Sequence, residues 1–459
     1  MEHVTEGVKI LLGNPKKAIR KLALPMIVGL SAQMVYNIVD AIWVSGLGAD
    51  ALAAVGFFFP FFFLLMALAT GISVGASSAI SRKIGSRNKR DADSVAIHSL
   101  IIGGIVAIAV SLPFLIFIDK LFAVMGAGEV TKMATAYARI LFAGSIFIFF
   151  SSIANGILRG EGDTKRAMYA LLLGSILNIV LDPIFIYTFR LGVAGAAWAT
   201  LISIITSSIL LSYWLFFKRT TYVSIHFNEF SFNWQIVKEI LKVGIPASVI
   251  QLSMSFSILV LNILVVRAGG TDGVAVFTTG WRVVMIGMIP LLGIATAVTA
   301  VTGAAYGARD VEKLNTSYMY AIKLGFVIGT TVAIFTYVFA PWITLLFTHS
   351  QNSARIANDL TTFLKIITLF YPFATFGMFS SAMFQGIGKG MNSLAVTILR
   401  TIILTVPMAY IFAFTIHLGL KGVWMGIVVG NTIAAFIAFS WAKMYVKRME
   451  YETATNSLQ

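Results

Sequence analysis

Cysteine is absent from the 459 residues, which removes disulfide frameworks and thiolate metal sites and leaves the compartment open. Charge is scarce too: Asp, Glu, Lys and Arg make up 12% of the chain, against about a quarter in soluble domains. No polar stretch is long enough for a separate soluble domain; the longest, Lys218 to Trp234, has 17 residues. Signatures of catalysis are missing. Gly388-Lys389 is followed by Gly390 rather than Ser or Thr, so there is no Walker A loop, which argues against an ATP-driven pump. The five histidines, His3, His98, His226, His349 and His417, have no ligand spacing, leaving catalytic zinc without support. No cofactor is expected, and the chain is not read as an enzyme. What is abundant is apolar residue: 58% hydrophobic, with a mean hydropathy of +0.89.

Apolar stretches of the roughly 20 residues that cross a bilayer recur throughout. Candidate helices fall near 17–45, 51–83, 93–117, 128–156, 165–188 and 194–217, then near 235–267, 274–306, 311–338, 355–385, 390–414 and 421–446. The expected fold is an all-α integral membrane protein of twelve transmembrane helices in two homologous six-helix bundles. Its expected organisation is an N-lobe at 1–217, a cytoplasmic linker at 218–234, and a C-lobe with a short cytoplasmic tail at 235–459. A net charge of +15 raises nucleic acid as a partner, but the basic residues alternate by side of the membrane. Lys16, Lys17, Arg20 and Lys21 precede the first span. Arg82, Lys83, Arg87, Lys89 and Arg90 follow the second, Arg159, Lys165 and Arg166 the fourth, and Lys218 and Arg219 the sixth. The positive-inside rule then puts both termini in the cytoplasm and assigns the excess charge to topology and anionic lipid. Without a small-residue cleavage site after a short apolar core, the first span reads as retained.

The second signal is an internal repeat at an offset of about 221 to 227 residues. Leu24-Pro25 matches Ile245-Pro246, Gly48 matches Gly269, and Gly85-Ser86-Arg87 matches Gly307-Ala308-Arg309. Gly160 and Gly162 match Gly386 and Gly388, and Leu191-Gly192 matches Leu418-Gly419. Six helices between equivalent points give the halves the same orientation, as in transporters built from parallel repeats.

The carboxylates do not repeat. Asp40 faces Leu261 at the 221 offset, and Asp182-Pro183 falls near Met408 and Ala409. Each aspartate lies inside an apolar span, at a cost of about 2.5 to 3.5 kcal/mol near the bilayer centre. Helical spacing puts Asn37 three residues before Asp40, with Tyr36 beside it, and Asn178 four before Asp182, so each Asp has an amide on its own face. Three readings stay open: pairing with a span arginine (Arg139, Arg282, Arg400), coordination of sodium or another metal ion by carboxylate and amide oxygens, or a protonatable pair.

Four segments together resemble one family: LALPMIVGLSAQMVYNIVDAIWVSGLG (Leu22 to Gly48), NGILRGEGDTKRAM (Asn155 to Met168), LNIVLDPIFIY (Leu177 to Tyr187) and SAMFQGIGKG (Ser381 to Gly390). The chain resembles the multidrug and toxic compound extrusion (MATE) transporters, particularly the archaeal DinF-like branch. The resemblance implies two six-helix lobes about a V-shaped central cleft, and efflux of organic cations and other amphipathic drugs by alternating access, driven by H+ or Na+ entry. By matching position it makes Asp40 and Asp182 the cation-coupling carboxylates, with Asn178, Tyr137 and Thr200 as their hydrogen-bonding neighbours. Tyr36, Asn37 and Asn155 become weaker candidates for the substrate cavity, and Pro25 the point where the first helix bends. Arg159, Glu161 and Asp163 read as a charged cytoplasmic turn that marks the family and serves structural charge pairing rather than ligand contact. The expected partners are small-molecule drugs or organic cations and membrane lipid, with no nucleic acid; the expected state is a monomer in the cell membrane. The alternative function is flipping or export of lipid or a lipid-linked oligosaccharide. A channel or receptor-like scaffold is a third, distant reading.

Overall fold

In hydrocarbon every backbone N–H and C=O needs a partner from its own segment, so the apolar runs become helices. The computed structural model describes residues 4–218, 220–226, 230–348 and 354–456, and no strand occurs among them. Arg219, His3, His349 and residues 227–229 of the linker lie outside the described residues. The first half comprises α1 (Glu6–Leu12), α2 (Pro15–Ser45), α3 (Ala49–Gly85), α4 (Lys89–Val124), α5 (Thr131–Ala143), α6 (Ser145–Gly160), α7 (Thr164–Pro183) and α8 (Gly192–Ser212). The second comprises α9 (Trp234–Gly307), α10 (Val311–Phe347), α11 (Ala357–Ile367), α12 (Phe370–Gly386), α13 (Gly390–Ile398), α14 (Thr405–Tyr410) and α15 (Gly419–Asn456). The 74 residues of α9 are two spans joined at Gly270, whose φ of 59° and ψ of −151° are not helical. Counting each bent pair, and each arm of α9, as one span gives the twelve expected crossings among the described residues.

Two spans expected to be continuous are broken. The fourth bends by 49° between α5 and α6, at Gly144, where an added Cβ would run into the Leu201 side chain. The tenth bends by 50° between α11 and α12. Pro372 sits in the first turn of α12, where its missing N–H is least costly.

The repeat reappears in the backbone itself. Left-handed residues occur in matched pairs: Arg87 with Arg309, Gly162 with Gly388, Arg190 with His417, and Gly192 with Gly419. A π-helical turn at Ile184–Thr188 recurs at Ile411–Thr415. Close approaches recur as well. A Cβ on Gly160 would lie 2.8 Å from the Ser77 carbonyl oxygen, and one on Gly386 would lie 2.5 Å from that of Thr299.

The chain divides into two compact units, Met1–Gly13 with Leu24–Ser248, and Asn14–Ala23 with Val249–Gln459. The division therefore runs through α2 and α9, two residues from Pro25 and from Pro246. In the first unit the contact of α3 with α6 depends on Gly156 and Gly160 lying against Ser73 and Ser77. In the second, Phe277 stacks on Trp424 with centroids 5.6 Å apart, and Phe363 meets Trp424 edge-on at 4.8 Å.

These glycine contacts are with backbone, which cannot swing aside. Gly160→Val and Gly386→Val should each destabilise by about 1 to 3 kcal/mol, the usual cost of overpacking. Thermal melts in detergent check this; an unchanged melting temperature in both would show that the helix pairs have room to spare.

Candidate functional site

Asp40 lies in the last turns of α2 and Asp182 in the last turn of α7, 142 positions later in the chain. A tertiary clamp joins those ends. The Tyr187 hydroxyl, in the π-turn after Pro183, donates to the Trp43 carbonyl at 2.6 Å, and the two rings meet edge-on at 6.0 Å. The clamp brings the Asp40 and Asp182 carboxyls within hydrogen-bonding reach of each other. Asp182 is fully buried, and Oδ1 of each carboxyl is buried with no partner. Two bare carboxylates have no donor to share, so this arrangement requires a proton or another cation.

Asn178, one turn before Asp182, completes the set. With its amide oriented by the surrounding network, its nitrogen donates to Asp182 Oδ2 at 3.1 Å and its oxygen accepts from the Thr200 hydroxyl of α8 at 3.2 Å. Tyr36 of α2 and Tyr137 of α5 stand in the field of both carboxylates. Tyr137 packs edge-on against Phe58, with centroids 5.3 Å apart. Thus Asp40, Asp182, Asn178, Thr200, Tyr36 and Tyr137 are brought together.

Three candidates lie apart from this group. Asn37, expected to serve Asp40, is exposed and makes no hydrogen bond to it among the described residues, because Asp40 turns toward α7. Asn155 lines a cavity below the carboxylates and donates to the Ala167 carbonyl at 3.0 Å. Pro25 lies within α2, which is one continuous helix from Pro15 to Ser45. The arginine-pairing reading fails, since no ion pair reaches Asp40 or Asp182 among the described residues and Arg139 faces Asp119 at 3.9 Å. The buried, unpartnered carboxylate oxygens fit sodium as well as a proton. Groups of three or more His, Cys, Asp or Glu side chains able to hold a metal ion are absent among the described residues.

Below the carboxylates lies a cavity of about 270 Å³ within the first unit, walled by α2, α3, α6, α7 and α8. Tyr36, Asn178 and Thr200 face it near the carboxylates. Sequence spacing did not single out the serines at 151, 152, 175, 203 and 207 that line it; isolated serines in helices give no periodic signal.

In the charged turn after α6, the expected structural charge pairing is seen for Asp163 and, among the described residues, not for Arg159 or Glu161. Arg159 points into the cavity and donates to the Ser73 hydroxyl at 2.9 Å. Asp163 caps α7 and pairs with Arg166 at 3.0 Å. Glu161, only 1% exposed, accepts from the Val223 amide of the linker at 2.9 Å, and Asp93 accepts from the Ser224 amide at 2.7 Å. The linker segment from Thr221 to Ile225 thus covers Glu161. The resulting burial, helped by the nearby charge of Asp163, pushes the Glu161 carboxyl up to about 8.

The family model MatE matches residues 25–184 and 246–411, one block in each half. The chain belongs to the MATE family. It is 28% identical over 420 residues to the probable multidrug resistance protein YoeA of Bacillus subtilis (strain 168), covering 88% of this chain and 89% of that protein. It is 26% identical over 444 residues to the multidrug export protein MepA of Staphylococcus aureus, covering 95% and 96%. A solved multidrug resistance MATE family transporter in an outward-facing conformation superposes with a TM-score of 0.96 at 53% identity, over 98% of this chain and all of that one. The protein is therefore a multi-pass membrane transporter of the multidrug efflux class, with the MATE fold.

Glu161 gives a pH dependence of known sign. Its pKa rises from 4.5 in an exposed state to about 8 in the folded chain, so the folded state holds the proton more tightly. The stabilisation is complete below about pH 4.5 and is lost as pH rises through about 8, a span worth roughly 3 to 5 kcal/mol. Wild type should lose melting temperature between pH 5 and pH 8, and Glu161→Gln should flatten that slope. Parallel slopes in the two proteins would contradict the assignment.

Proposed function

We propose that the chain exports organic cations and other amphipathic small molecules by secondary antiport, taking up H+ or Na+ at Asp40 and Asp182. The supporting observation is the pair of facing carboxyls, half-buried Asp40 and fully buried Asp182, each with one buried oxygen unpartnered. Held so, the pair accepts a proton or sodium ion when the site faces the side of high cation activity. Filling it lowers the repulsion between α2 and α7 and changes how α2 packs near Pro25. The altered helix releases the bound drug, and return of the carrier delivers the ion to the cytoplasm. Asn178 and Thr200 hold Asp182 in place, and Tyr36 and Tyr137 stand in the field of the pair. Entry of one proton supplies about 2.3 kcal/mol per 100 mV and about 1.4 kcal/mol per pH unit. One-for-one exchange with a monovalent cation cancels the voltage part.

In this reading the protein works as a monomer in the cell membrane with both termini cytoplasmic, needs no cofactor and catalyses no covalent step. Its N-lobe is 1–217, its linker 218–234 and its C-lobe 235–459. Lipid or lipid-linked oligosaccharide flipping would draw on basic side chains such as Arg139, Arg282 and Arg400, and Arg139 is already engaged by Asp119.

Ethidium efflux from inside-loaded proteoliposomes tests the proposal, with an inward proton or sodium gradient imposed in turn. Wild type should respond to one of the two, and Asp40→Asn and Asp182→Asn should lose at least about tenfold of the driven rate while still inserting. Full driven export by both variants sinks the coupling assignment. Absence of export under either gradient moves lipid flipping to first place.

A further inference from the structure

Helix α13 opens into a π-helical turn, Leu399–Leu404, that has no counterpart in the first half, where α7 runs as one α-helix from Thr164 to Pro183. The repeat registers the turn as one extra residue: Gly388 follows Gly162 by 226 positions, but Gly419 follows Gly192 by 227. Single π-turns of this kind recur at functional sites. The Arg400 carbonyl accepts both the amide and, at 2.6 Å, the hydroxyl of Thr405, five residues on. The insertion thus sets the direction of Arg400. Its stem packs between α12 and α15, since a Cβ on Gly377 would lie 3.4 Å from Arg400 Cδ and 3.6 Å from Ala435 Cα. At the offsets of the repeat, Arg400, Gly377 and Asn431 fall opposite Gly174, Ser151 and Ile204, all of which line the first-unit cavity. The second unit therefore projects a guanidinium into the counterpart of that cavity.

The guanidinium has no counter-charge. Arg400 is half-buried, and among the described residues it makes no ion pair and its side chain no hydrogen bond. The acidic residues of the second unit stand at the ends of its spans: Asp272 follows the break in α9, Asp310, Glu312 and Asp359 begin helices, and Glu450 and Glu452 lie near the end of α15. One turn before Ala435, on the same face of α15, Asn431 is 1% exposed and its Nδ2 is buried with no partner. Both groups are donors, and each is costly while unmatched. A row of buried hydroxyls leads toward them from the end of α12. Gln385 donates to the Ser393 hydroxyl at 3.1 Å, and the Ser381 hydroxyl lies 2.6 Å from that of Ser393 and 3.4 Å from that of Thr397, one turn before Arg400.

We propose that the second unit binds one chloride ion between the Arg400 guanidinium and the Asn431 amide. Unmatched donors call for an anion, and one fixed positive charge matches one negative charge. Phe373 and Phe376 of α12 pack on Phe436 of α15, with centroids 5.7 and 5.4 Å apart, so the surroundings are apolar. Dehydration costs rise with the square of the charge and favour a monovalent ion over a phosphate dianion. The site goes beyond the efflux reading and does not rest on it, because the ion neutralises the second unit while the carboxyl pair belongs to the first.

Thermal melts of the full-length protein in detergent at neutral pH test this, with chloride replacing gluconate at constant ionic strength. Wild type should gain melting temperature with chloride, as a ligand of the folded state requires, and bromide should serve as well. Arg400→Gln should weaken the chloride affinity at least about tenfold, and Asn431→Ala about threefold. Arg400→Lys should keep part of the response, and Arg282→Gln, which removes an exposed arginine of another span, should keep all of it. Chloride NMR on wild type gives a second reading that does not depend on Arg400→Gln folding: the line should broaden on adding protein and sharpen again as bromide is titrated in. Absence of both effects in wild type, or an undiminished response in a folded Arg400→Gln, would overturn the proposal. An equal or larger gain with acetate or phosphate at the same ionic strength would give the site to carboxylates or phosphate groups and overturn the choice of chloride.

Discussion

Two carboxyl groups facing each other inside an apolar bundle cannot both stay charged and unpartnered. Either a proton sits between them or a cation does. The first unit is arranged around that constraint: the Tyr187 to Trp43 clamp holds the ends of α2 and α7 together, and Asn178 and Thr200 fix Asp182 from behind. Neither aspartate has an arginine to neutralise it among the described residues, so filling and emptying the pair changes the net charge inside the bundle. In the proposed antiport, that change is the form in which an ion gradient is felt by helix packing.

The second unit shows what the same architecture becomes without the carboxylates. At the offset set by the two π-turns, Asp182 corresponds to Ala409, which is fully buried. A Cβ on Gly426 would collide with the Ala409 backbone, so the place taken in the first unit by a carboxyl is closed by helix-on-helix packing. Duplication preserved the turns, the glycine contacts and the π-bulges, which serve the fold in both halves. The carboxyl pair resides in one.

The charged turn after α6 shows a similar division of labour at short range. Arg159, Glu161 and Asp163 are two residues apart, close enough in sequence to suggest mutual pairing. A helix end separates their directions: Arg159, still on α6, faces the cavity; Glu161, at the end of the helix, lies under the linker; Asp163 starts α7 as its cap. Three neighbouring charges thus serve three different parts of the first unit, and Glu161, the buried one, owes its burial to a segment far away in sequence.

By itself the sequence determined the helical spans, their number and the duplication, because hydrocarbon forces each apolar run of sufficient length to satisfy its own backbone. It also singled out Asp40 and Asp182, since an aspartate in such a run is too costly to be incidental. The breaks at Gly144 and before Pro372 were less legible, because neither residue ends a helix unless its neighbours require it. Only the tertiary structure decided that the two aspartates meet, that Asn37 turns away, and that Arg159 lines a cavity while the linker buries Glu161. Each of those outcomes depends on which helix or linker segment lies opposite, across separations of some 60 to 140 residues. Local periodicity carries no information over that range.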